Sequence, residues 1–125
     1  MKEVREQGND KPRVIDMSES PQIGTGMSCV AQHLATIPGL SEIHLSSCEI
    51  KDQGAKMLFK ALMYHKELVI INLEENLLTD GCLDFLCKLL QRNKAIKEVN
   101  LHGIKVSSAY MKTGKLKDIQ SRIKL

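Results

Sequence analysis

The chain has 125 residues, of which 42% are hydrophobic and 3% aromatic, with no tryptophan. That is enough apolar material for one continuous core and excludes a disordered chain, and the scarcity of rings leaves Leu, Ile, Val and Met to fill the interior in stacked layers. A formal charge of +3, from 18 basic and 15 acidic residues, is too balanced for a chain that binds nucleic acid over its whole surface.

Met1 to Lys11 mixes charges of both signs and holds no apolar stretch of the kind a secretory signal needs, so residues 1–11 are expected to be a polar N-terminal arm. No apolar run is long enough for a transmembrane helix, so no membrane insertion is expected. Cysteines at 29, 48, 82 and 87 show no paired spacing. Without an export signal they are expected to be reduced, core-packed thiols in a cytoplasmic or nuclear protein.

From residue 12 onward the chain repeats. Leu40-Ser-Glu-Ile-His-Leu-Ser-Ser-Cys-Glu-Ile50 and Leu68-Val-Ile-Ile-Asn-Leu-Glu-Glu-Asn-Leu-Leu78 share one pattern, and their first residues lie 28 apart. The same step brings Ile96, with Val99, Leu101 and Val106 in the matching slots. The step back brings Pro12, with Ile15 and Met17 where Ile43 and Leu45 stand. Four units therefore start near residues 12, 40, 68 and 96. Their second halves also align: Val30 with Leu58 and Leu86, Ala31 with Phe59 and Cys87, and Leu34 with Leu62 and Leu90. The spacing puts those columns on one helical face. Asp52 and Asp80 precede the helices, where a carboxylate can accept from free backbone N–H groups.

Each unit is thus predicted to be a short strand, a tight turn, a helix and a return loop. A single unit cannot bury its own apolar residues, so the units must stack. The predicted fold class is α/β: a short right-handed solenoid over residues 12–106, with a parallel sheet on the concave side and helices on the convex side. At the bend after each strand, the Asn76 amide or the Cys48 thiol can point inward and bond the neighbouring turn.

These motifs resemble the ribonuclease-inhibitor type of leucine-rich repeat. The residues that carry the likeness are Leu40, Ile43, Leu45, Cys48, Ile50, Gly54, Leu58 and Leu62, then Leu68, Ile71, Leu73, Asn76, Leu78, Leu86 and Leu90. The match is good over residues 40–101 and loose over residues 12–39. The family includes ribonuclease inhibitor, the Ran GTPase-activating protein, the sensor part of NOD-like receptors, and tropomodulin. The resemblance implies protein–protein binding without choosing the partner, because the motif residues are scaffold ones.

At both ends the pattern departs from the family. Pro12 and Ser20 replace the first apolar and the Asn/Cys positions, which suggests an irregular N-terminal cap. In the last unit Gly114 and Asp118 fall in core slots, whereas Leu116, Ile119 and Ile123 fall at helical spacing. Residues 107–125 are therefore expected to form a basic, amphipathic capping helix, and Met1 with a cap at each end argues for a complete gene product.

Alternation within the strands names the concave side chains. One column runs Asp16, His44, Asn72, Asn100; a second Ser18, Ser46, Glu74, His102; a third Val14, Glu42, Ile70, Glu98. Glu42, His44, Ile70, Asn72, Glu74, Glu98, Asn100 and His102 are the expected contact surface. The alternative is that this face is polar only because it meets water. Asp16 beside His44, and Glu74 beside His102, suggest acid–imidazole pairs. No nucleophile, carboxylate pair, Gly-rich phosphate loop or metal-ligand spacing accompanies them, so neither catalysis nor a cofactor or metal is expected. Met57, Met63, Met111, Tyr64 and Tyr110 suggest an adaptable surface, although helix packing or the cap accounts for most of them.

The C-terminal lysines and arginine (Lys112, Lys115, Lys117, Arg122 and Lys124) are either a solvated end or a docking strip for an acidic partner. The leading functional expectation is an adaptor or scaffold subunit holding a protein partner on its concave face, within a larger assembly. Three other readings stay open. They are a cytoskeletal regulator resembling tropomodulin that binds actin or tubulin, a GTPase regulator using Arg13, and an RNA- or ribosome-associated factor using the basic C-terminal end.

Overall fold

The computed structural model describes residues 13–125, so the proposed N-terminal arm lies outside the described residues. Five parallel strands form one sheet in sequence order: β1 (Arg13–Asp16), β2 (Leu40–His44), β3 (Ile70–Asn72), β4 (Glu98–Asn100) and β5 (Ile123–Lys124). Helical segments lie between them. These are the single turn α1 (Gln22–Thr25), then α2 (Met27–Ala35), α3 (Asp52–Leu62), α4 (Leu83–Arg92), which follows a 3₁₀ turn at Asp80–Cys82, and the short α5 (Ser108–Lys112).

Register follows the repeat: Glu42, Ile43 and His44 lie opposite Ile70, Ile71 and Asn72, which lie opposite Glu98, Val99 and Asn100. Ile43, Ile71 and Val99 point to the buried side, each 0% exposed, and meet the helices there. The helices present the columns expected of them. Leu34, Leu62 and Leu90 are buried, as are Ala31, Phe59 and Cys87. Leu58 and Leu86 are also buried, while their first-unit counterpart Val30 is only partly so. A parallel sheet needs a helical crossover between neighbouring strands, and one apolar helix face per unit supplies the cover.

The turns after the strands are built alike. Glu19, Ser47, Glu75 and Gly103 recur at the repeat spacing and all have positive φ, at 61°, 55°, 57° and 92°. Inside the bend, the Asn76 side chain accepts from the N–H groups of Cys48 (2.8 Å) and Ile50 (3.0 Å) and donates to the carbonyls of Leu45 (2.8 Å) and Leu73 (3.0 Å). The Cys48 thiol donates to the Met17 carbonyl at 3.2 Å. The second and third units therefore each satisfy the turn of the one before.

Helix starts are linked in the opposite direction. The Asp52 carboxylate accepts from the backbone N–H of Thr79 at 2.8 Å and from its hydroxyl, and Thr79 in turn caps the 3₁₀ turn by accepting from Gly81 N–H. Asp80 grips Ser107 likewise, and Ser107 caps α5 through Tyr110 N–H. The two aspartates thus serve the next unit's helix and not their own. Gly24 stands at the equivalent place in the first unit, where a Cβ would run into the backbone carbonyl of Glu49.

The C-terminal segment differs from the single capping helix expected of it. α5 ends at Lys112, Gly114 takes φ +73°, a 3₁₀ stretch runs over Lys117–Arg122, and Ile123–Lys124 join the sheet as β5. Leu116, Ile119 and Ile123 are buried as their spacing implied, but Ile123 reaches the core from a strand opposite Val99. The free edge of β4 offers unpaired backbone groups, and a strand satisfies them where a helix would not. Cys29 departs too: Cys48, Cys82 and Cys87 are buried free thiols, but Cys29 is an exposed one. No helix among the described residues is long and apolar enough to cross a membrane.

Candidate functional site: the open face of the sheet

The side of the sheet away from the helices carries the residues expected there. Val14, Glu42, Ile70 and Glu98 form one row, and Asp16, His44, Asn72, Asn100 and Lys124 another. Val14 is 52% exposed, and Ile70 is half-buried between the two glutamates. The face is a polar, net acidic surface with apolar ground between its carboxylates.

Its polar groups bond to one another. His44 Nε2 lies 2.9 Å from Glu42 Oε1 on its own strand, and its Nδ1 lies 3.4 Å from Asn72 Nδ2. The Asn72 carbonyl oxygen accepts from Glu74 N–H at 3.0 Å, which turns the amide nitrogen toward the imidazole. Asn100 donates to Glu74 at 3.1 Å, and its own carbonyl oxygen accepts from His102 N–H at 3.0 Å. Lys124 pairs with Glu98 at 3.4 Å. Neither expected acid–imidazole pair forms: His44 turns to Glu42, and His102 faces Glu75 at 3.9 Å. The cause is local. Asp16 is occupied by Ser18 N–H at 3.0 Å, and this bond holds its carboxyl below the usual aspartate value.

Asp16, Asn72 and Asn100 thus share a role, each closing its strand by accepting from the backbone N–H two residues on. Part of the column named as contact residues is therefore structural. The side chains of this face without that role are Glu42, His44, Ile70, Glu74, Glu98 and His102, together with Val14 and Lys124. Lys124 reaches this face only through β5, and its place there has no signal in the repeat pattern.

The C-terminal cations do not form one strip. Arg122 donates to the carbonyls of Leu90 (2.6 Å), Asn93 (2.7 Å) and Ile96 (2.6 Å), so it belongs to the fold, and desolvation lowers its pKa. Lys115 lies 3.5 Å from Asp84 and over the Tyr110 ring. Lys124 belongs to the sheet face, which leaves Lys112 and Lys117 outside the ion pairs of the described residues.

No three potential metal ligands come together among the described residues. The Cys82 thiol is pushed up to about 12, first by burial and then by Asp52, so it stays protonated at neutral pH. Burial raises the Cys87 thiol as well.

Comparison with solved structures places the fold. It is similar to actin-binding site 2 of leiomodin-1, with a TM-score of 0.75 and 16% sequence identity over 97% of this chain and 75% of that one. It is also similar to the C-terminal domain of tropomodulin from Caenorhabditis elegans, with a TM-score of 0.65 and 12% identity over 98% of this chain and 78% of that one. No family model matches the chain, and no curated protein matches its sequence. At these identities the likeness is one of fold, a mixed α/β architecture of leucine-rich-repeat type.

Proposed function

We propose that this chain is a non-catalytic, intracellular binding module, a short curved solenoid of the ribonuclease-inhibitor repeat class, and that its partner is actin. One observation carries the choice of partner. The fold is shared along nearly the whole chain with a domain named for binding actin, and with a tropomodulin domain besides. This reading replaces the general adaptor as the leading one. With Arg122 held by backbone carbonyls and Lys115 and Lys124 in ion pairs, the C-terminal cations give less support to an RNA-binding end. The open sheet face supports a protein contact, since it holds half-buried Ile70 between Glu42 and Glu98 on a rigid sheet. So few strands offer a small area, and a stable complex needs residues flanking the sheet as well.

Co-sedimentation with actin filaments, paired with a fluorescence titration of monomeric actin, tests the proposal. The expected result is saturable binding to one of the two forms, weakened by Ile70→Asp and by Glu98→Lys. Failure of both forms to bind at low and moderate salt would remove actin as partner. Binding that survives both substitutions would move the contact off the sheet face.

A further inference from the structure

Among the described residues Tyr64 is the most exposed of the large hydrophobic side chains, at 73%, and the sheet face has no part in its position. It stands just beyond the C-terminus of α3, between two open clefts at the rim where the helices return to the strands. The larger cleft, about 400 Å³, runs along Lys66, Arg92, Lys94 and Ala95. The smaller, about 270 Å³, lies against Ile37 on the other side. Among the described residues, only the Arg92 guanidinium reaches the ring's hydroxyl, at 3.5 Å. Helix packing therefore does not explain this tyrosine, unlike Tyr110, whose hydroxyl donates to Asp84 at 2.8 Å.

Lys66, Arg92 and Lys94 are all exposed, and none of the ion pairs among the described residues involves them. Glu67 lines the smaller cleft, where it accepts from Gly39 N–H at 2.9 Å and forms no ion pair with the three cations. Cations near helix C-termini complement the helix dipole, which accounts for the charges but not for an aromatic ring held out among them. Tyrosine and arginine side by side, over apolar ground and with unneutralised charge, is the composition of a protein-binding anchor.

We propose that Tyr64 and its two clefts form a second docking surface, separate from the sheet face, for an acidic peptide segment of a partner protein. Carboxylates supply the charge that Lys66, Arg92 and Lys94 lack, and an apolar side chain between them covers Tyr64, Ile37 and Ala95. A long polyanion fits less well, because Glu67 lines the smaller cleft and interrupts the positive charge that a continuous phosphate backbone would follow. The proposal does not rest on actin as partner and survives or fails independently of it.

The test is a titration of the isotope-labelled chain with a short synthetic peptide alternating Asp, Glu and Leu, followed by amide chemical shifts. Saturable shifts are expected at Met63 to Lys66 and at Arg92 to Ala95. Affinity should fall about tenfold in Tyr64→Ala and in Arg92→Glu, the scale of losing an anchor, and should not change in Lys117→Glu. Lys94→Glu, at an exposed side chain, gives a second variant, and thermal melting checks that each remains folded. Absence of saturable shifts would overturn the proposal, as would equal losses from Lys117→Glu, which mark unspecific attraction. Displacement of the peptide by a single-stranded RNA oligonucleotide with matching shifts would reassign the surface to nucleic acid.

Discussion

Asn76 shows how one side chain can carry a turn. It is 8% exposed, and its amide serves backbone groups of both its own unit and the preceding one. Removing it in Asn76→Ala leaves the N–H groups of Cys48 and Ile50 unpaired in the interior. Urea unfolding should show a loss of about 3 kcal/mol, from two buried donors at roughly 1–3 kcal/mol each. This residue was legible, because its slot follows two apolar positions in the repeat pattern. The left-handed column beside it was not. Glu19, Ser47 and Glu75 adopt a conformation that glycine favours, and only Gly103 signals it. The bonds on either side of the bend impose that backbone, and a side chain that tolerates the strain leaves no trace in the pattern.

At the level of elements, the units are joined by carboxylates as much as by packing. Asp52 and Asp80 were recognisable as helix-start acceptors, but the groups they serve lie 27 residues further on. Nothing local names such a partner. The bonds from the Ser107 hydroxyl and N–H hold Asp80 below the usual aspartate value. Because the folded value is the lower one, its stabilisation is fully present above the unfolded pKa and lost as pH falls through the folded pKa. Asp80→Ala should therefore lower Tm at neutral pH, and the gap from the parent should close as the solution is acidified below the ordinary aspartate range. A gap independent of pH would mean that the carboxylate charge has no part in the link. The last element was misjudged for a related reason. Leu116, Ile119 and Ile123 satisfy helical spacing, yet the open edge of β4 draws Ile123 into a strand, and edge pairing outweighs periodicity over so short a segment.

For the whole molecule, the ends of the stack need closing. At the C-terminal end this falls to β5 and to Arg122, which collects the carbonyls of Leu90, Asn93 and Ile96. A plain ammonium cannot span three carbonyls in a planar fork, so Arg122→Lys should rescue little of the roughly 2 kcal/mol expected to be lost in Arg122→Ala. Denaturant unfolding of the two variants checks this, and full rescue by lysine would show that charge alone suffices. Read from the sequence, this arginine was only one of a set of basic residues. Its role depends on three carbonyls brought together from a distant helix end and loop.

The sequence by itself determined the 28-residue period, the order of the first four strands, most of the interior residues and the side chains that share a row on those strands. These follow from alternation and helical spacing, which act between near neighbours and repeat in every unit. Only the tertiary structure decided which acid meets which histidine, which cation is spent on the fold, where the final strand lies, and that Tyr64 stands in solvent. Those outcomes depend on edges, unpaired carbonyls and the space between neighbouring units, which arise only once the units are stacked.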